Sequence, residues 1–154
     1  METAEPGTLV LFFSDEEIRK SADANYLFYA DRNFVYLTGL SCKEAVFVAT
    51  KEGSTVSERL YILPPDFLAE RWTGRRVKPQ QAESLSGIRD IRTLDAFEGD
   101  MQKLLSSGNY GRVYLDCRKH APDDTDRLSH VFAGCLRDIF FDKSFVFKMV
   151  ICIF

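Results

Sequence analysis

The chain has 154 residues, 45% of them hydrophobic, and a formal net charge of −3. That length carries one well-packed core, and that composition argues against wholesale disorder. A mildly acidic chain has no global attraction for nucleic acid or anionic lipid, and no apolar run approaches the ~18 residues needed to cross a membrane.

In chain order, TLVLFF (8–13) is a continuous apolar run, the pattern of a strand covered on both faces. SDEEIRK reads as a short helix capped by Ser14, with Glu17 at the capping-box position. NFVYLTG (33–39) alternates, placing Phe34, Tyr36 and Thr38 on one side and Val35 and Leu37 on the other, which predicts a strand. EAVFVAT (44–50) predicts a second buried strand. ERLYIL (58–63) predicts a third, stopped by Pro64 and Pro65 because proline removes a ladder donor. Helical signals follow. PDFLAERWTG sets Phe67, Leu68 and Trp72 near one face and stops at Gly74, and KPQQAESLSG starts at Pro79 and ends at Gly87.

IRDIRTL (88–94) predicts a short strand. DAFEGDMQKLLSSG predicts a helix, with Asp95 as cap, Glu98 three residues on, and Phe97, Met101, Leu104 and Leu105 on one stripe. RVYLDC (112–117) predicts another strand. DDTDRLSHVFAGCLRDIF predicts a helix whose stripe is Leu128, Val131, Phe132, Cys135, Leu136 and Ile139. Strands cluster early and then alternate with helices, so the expected fold class is α/β, a mixed β-sheet flanked by helices on both faces. The whole of 1–154 reads as one domain, with 143–154 an apolar tail of unassigned structure.

The chemistry-bearing residues are sparse. The four cysteines, at 42, 117, 135 and 152, lack C-x-x-C spacing and read as buried or half-buried thiols of a reducing compartment. The polar opening METAEPGT does not read as a signal or transit peptide. DCRKHAPDDTD gathers Asp116, Cys117, His120, Asp123, Asp124 and Asp126, yet without metal-ligand spacing on a helix face it reads as a loop and a helix start. No glycine-rich phosphate loop and no nucleophile elbow is present. The most unusual segment is ERWTGRRVK (70–78), which sets the sole tryptophan, Trp72, beside Arg71, Arg75, Arg76 and Lys78. Arginine forks suit carboxylates and tryptophan offers a flat apolar wall, so the segment suits an anion, a peptide terminus or a subunit contact. The plain alternative is a core tryptophan flanked by solvated basic residues.

YADRNFVYLTGLSCKEAVFVA, followed by LYILPPDFLAERWTGRR, resembles the N-terminal domain of the creatinase, prolidase and aminopeptidase P group, nearest to Xaa-Pro aminopeptidases. The likeness runs from about Leu9 to Asp116. It is sharpest at Asp31, Asn33, Phe34, Tyr36, Thr38 and Gly39, then at Pro64, Pro65, Glu70, Trp72, Gly74, Arg75 and Arg76. It implies a mixed-sheet α/β domain that precedes a separate catalytic domain. That second domain would hold two divalent ions, commonly manganese, on carboxylate and histidine ligands, and would cleave the bond between an N-terminal residue and a following proline. Nothing in this chain matches those ligand motifs, so the resemblance implies a chain that is not itself an enzyme, with no catalytic and no metal residues of its own. It further implies a cytoplasmic homo-oligomer, with the catalytic C-terminal domain and a peptide carrying proline second as partners. It places Trp72 near a substrate channel or subunit contact, and Arg75 and Arg76 match the same block. The rival expectation is a free-standing module that binds a peptide or protein.

Overall fold

The computed structural model describes residues 4–116, 128–140 and 146–147. Its elements are β1 (Thr8–Phe13), α1 (Arg32–Thr38), β2 (Val46–Glu52), β3 (Thr55–Ile62), α2 (Phe67–Thr73), α3 (Pro79–Ser86), β4 (Asp90–Thr93), α4 (Phe97–Ser106), β5 (Arg112–Leu115), α5 (Leu128–Phe140) and β6 (Val146–Phe147). One six-stranded sheet runs in the order β4-β3-β2-β1-β5-β6. β1, β2 and β3 pair antiparallel as a meander, while β4, β5 and β6 join parallel through helical crossovers. The fold class is therefore the one expected: a mixed sheet with helices on both faces.

Alternation along the strands builds two cores. Leu9, Leu11 and Phe13 of β1 join Val46, Val48 and Tyr61 beneath Met101 and Leu105 of α4 and Leu128 and Phe132 of α5. Val10 and Phe12 face the other way, joining Phe47, Ala49, Leu60 and Ile62 against Phe34 of α1 and Ala82 of α3. This two-sided burial is why TLVLFF is apolar throughout. The first core is aromatic at its centre, where the Phe97 ring meets Tyr61 at 5.2 Å and Phe132 at 5.5 Å.

Several expectations are corrected. Residues 33–38 lie in a helix, Arg32–Thr38, not in a strand. Asp31 caps it by accepting from the Asn33 and Phe34 amides at 2.9 and 3.3 Å, and Gly39 ends it in the left-handed region (φ 68°). Phe34 and Thr38, one turn apart, are its buried residues, while Tyr36 is 85% exposed. SDEEIRK is not a helix: Ser14 Oγ accepts from the Ala45 amide at 2.8 Å and the Ser14 amide donates to the Ala45 carbonyl, extending the sheet hydrogen bonding beyond β1. Asp95 does not cap α4. A 3-10 turn, Leu94–Ala96, leads in, and the cap position is Ala96 with no side-chain bond. On α5, Val131 and Cys135 are exposed, so the buried stripe is narrower than expected and Cys135 is not a buried thiol. The acids at 123, 124 and 126, with Cys117, His120 and Cys152, lie outside the described residues, as do the side chains of Leu136 and Ile139. Of the 143–154 tail, only the strand Val146–Phe147 is described.

Gly39 shows how tightly α1 sits on α3. A Cβ at Gly39 would approach the Leu85 carbonyl oxygen at 3.3 Å, on a backbone already in the left-handed region. We expect Gly39→Ala to cost about 1–2 kcal/mol, read as a lower urea midpoint with an unchanged slope.

Candidate functional site

The segment from Pro64 to Val77 leaves the end of β3 as a loop that carries α2. Asp66 starts the helix, accepting from the Leu68 and Ala69 amides at 3.0 Å each, and those bonds hold its carboxyl below the usual range. Gly74 (φ 86°, ψ 169°) ends it in a conformation open essentially to glycine alone. The chain then turns back, and Arg76 donates from Nη1 to the Pro64 carbonyl at 2.6 Å, tying the two feet of the loop together. The loop is thus held at its base, and α2 stands on it with no buried residue.

This placement overturns the reading of Trp72 as a core residue. Trp72 is 90% exposed and Phe67 87%, and Leu68, one helical turn before Trp72, is exposed beside them. A short amphipathic helix here presents its apolar side to solvent, which natural surfaces reserve for contacts. The same face of the sheet adds more outward apolar surface: Tyr36 and Leu37 from α1 and Leu85 from α3. Ile18, Leu27 and Tyr29 of the long 14–31 connection are exposed as well.

Behind the loop lies a cleft of about 210 Å³, lined by Lys43, Phe28, Ile62, Arg75 and Arg76 among others, with Glu17 at its wall. Glu17 accepts from the Asn25 side-chain amide at 2.7 Å and pairs with Lys43 at 3.2 Å; these partners keep its carboxyl below the ordinary value. Cys42 also lines the cleft, but burial pushes its thiol up to about 11, so it stays protonated and unreactive near neutral pH. Among the described residues no group of three His, Cys, Asp or Glu side chains could hold a metal ion. The structure thus brings together Arg75 and Arg76 at the cleft, with Trp72 on the helix above. Sequence reasoning missed Lys43 and Phe28 and placed Glu17 only in a helix cap; all three arrive at the cleft from segments far away along the chain.

The aspartate and asparagine of the DRN stretch have structural work. Beyond the Asp31 cap, Asn33 donates from Nδ2 to Asp116 at 2.5 Å, fastening α1 to the end of β5 across 83 residues of sequence.

Comparison with known proteins gives one consistent result. Residues 1–114 match the family model for the aminopeptidase P N-terminal domain. The chain is 30% identical over 107 residues to an Xaa-Pro aminopeptidase of Escherichia coli, covering 69% of this chain and 24% of that protein. It is 28% identical over 103 residues to the Xaa-Pro aminopeptidase of Haemophilus influenzae, covering 67% and 24%. The chain therefore spans about a quarter of the length of the curated relatives it matches. Among solved structures, a candidate aminopeptidase P from Bacillus anthracis superposes with a TM-score of 0.87 at 31% identity, over 97% of this chain and 35% of that one. The Escherichia coli aminopeptidase P with the inhibitor Pro-Leu gives 0.73 at 26% identity, over 89% and 30%.

Proposed function

From the premise that this chain belongs to the family of aminopeptidase P N-terminal domains, we propose that it is the non-catalytic N-terminal part of a metal-dependent Xaa-Pro aminopeptidase. In this reading it supplies subunit contacts and part of the wall of the substrate channel. The observation that carries the reading is the exposed α2 with Trp72, Phe67 and Leu68 turned to solvent. An isolated domain gains nothing from such a face, whereas an aromatic plane held on a clamped loop can close one side of a channel and exclude water from it. Arg76 positions the loop through Pro64. Arg75 is exposed beside it and available to a peptide or a neighbouring subunit.

Hydrolysis belongs to the catalytic C-terminal domain, on its two divalent cations, manganese in this proposal. In this proposal the described residues bind and orient the substrate and take no chemical step. The substrate is a peptide with proline second, the assembly a homo-oligomer, and the setting cytoplasmic. Two measurements test this. The 154-residue chain with manganese and an Xaa-Pro peptide is expected to give no turnover above a metal-only blank. Trp72→Ala in the protein that carries the catalytic domain is expected to lower kcat/KM about tenfold, the scale of one lost aromatic contact, with no change in melting temperature. Kinetics and oligomeric state both unchanged would remove Trp72 from the mechanism.

A further inference from the structure

We propose that the cleft beneath α2 is a binding site for a small organic carboxylate with an aliphatic side chain. Three cations, Lys43, Arg75 and Arg76, meet one carboxylate, Glu17, in its lining, on a chain whose net charge is −3. A local excess of positive charge on an acidic protein concentrates anions at that point.

The arginines are the specific element. Arg76 spends Nη1 on the Pro64 carbonyl, but its Nε is buried and has no hydrogen-bond partner among the described residues. A buried guanidinium N–H without an acceptor costs stability, so it marks a place where an acceptor belongs. Arg75 lines the same cleft and makes no hydrogen bond or ion pair with the described residues. The Arg75 guanidinium therefore has its planar fork free to receive the two oxygens of one carboxylate. Lys43 is already paired with Glu17 and acts as background charge.

Size and lining choose the rest of the ligand. About 210 Å³ is below the roughly 300–1,000 Å³ of sites for drug-sized molecules, which suits a single amino-acid unit. Phe28, Ile62 and Val77 give it an apolar wall. The shared chemistry is that of an N-blocked aliphatic amino acid or of the last residue of a short peptide. The site stands on this geometry alone and does not rest on the role proposed for Trp72.

The test uses the 154-residue chain, with its single tryptophan as a fluorescent reporter and amide NMR shifts at 74–77 as a second readout. N-Acetyl-leucine and Gly-Gly-Leu are the probes, N-acetyl-leucinamide the control without charge, and inorganic phosphate the competing anion. Saturable binding of either probe near millimolar Kd is expected, with no response to the amide; tighter binding of the tripeptide would identify a peptide terminus as the source. Arg75→Gln, at an exposed position, is expected to weaken binding about tenfold without moving the melting temperature. Arg76→Lys keeps the charge but removes Nε, and is expected to weaken it too in protein that remains folded by circular dichroism. Equal responses to acid and amide, no saturation, tighter binding of phosphate than of N-acetyl-leucine, or full affinity in Arg75→Gln would each overturn the proposal.

Discussion

Phe34→Ala is expected to lower the unfolding free energy by about 3–5 kcal/mol, while Tyr36→Ala changes it by less than about 0.5 kcal/mol. Phe34 is fully buried among Leu40, Phe47, Leu60 and Ala82, where the ring joins α1 to the sheet and α3. Truncation removes its transfer energy and leaves a cavity that the sheet cannot fill, since its strands are fixed by their ladders. Tyr36 lies on the solvent side of the same helix. The pair discriminates between two structures for one sequence. In a strand, residues 34 and 36 share a face and both substitutions would be costly. In the helix they lie about 200° apart, and only one is costly. Urea unfolding of the two variants, with equal slopes, is the measurement.

The same stretch shows what a sequence can and cannot disclose. The aromatic and β-branched run over residues 34–38 satisfies a strand template, and Phe34 and Thr38 at i and i+4 satisfy a helix template equally well. The deciding signals stood at the ends: an aspartate at position 31 able to cap, and a glycine at 39 able to stop. The apolar runs of β1, β2 and β3 were legible because both faces of the sheet are covered, which leaves no polar alternation to confuse with a helix. The α4 start was not, because a 3-10 turn replaced the cap that Asp95 promised. For the candidate site, the Trp72–Arg76 block was visible as composition. Its exposure was not, since Phe67, Leu68 and Trp72 form the same pattern whether they face a core or a partner. Lys43, Phe28 and Glu17 could be placed in the cleft only by the fold. The ion network on the β4 edge was equally hidden, because it depends on the parallel register that sets Arg59 opposite Asp90.

That network yields the second large effect. Asp100→Ala is expected to cost about 1.5–3 kcal/mol at neutral pH, the scale of hydrogen bonds to a charged group, and the loss should vanish in acid. Asp100 accepts from Arg92 Nη1 at 2.6 Å and from the Tyr61 hydroxyl at 3.0 Å. Asp90 accepts from Arg59 Nε at 2.6 Å and Arg92 Nε at 2.9 Å. The set stitches α4 to the edge strand β4 and to β3. Asp100 is the less exposed of the two aspartates, with 14% of its side chain accessible against 39% for Asp90, so solvent screens its bonds less. Partial burial raises the pKa of both aspartates, and the arginine hydrogen bonds, with Tyr61 at Asp100, more than offset it, leaving both below the ordinary value of about 3.9. With folded values lower than unfolded ones, the unfolded chain takes up protons first as pH falls, so the contribution is complete above about pH 5 and drains away through pH 4 and below. Denaturant unfolding of the native chain from pH 7 to pH 2.5 should therefore approach the Asp100→Ala curve toward the acid end. Curves that stay parallel over that range would mean that charge is not what Asp100 contributes, and that its value lies in packing against Tyr61 alone.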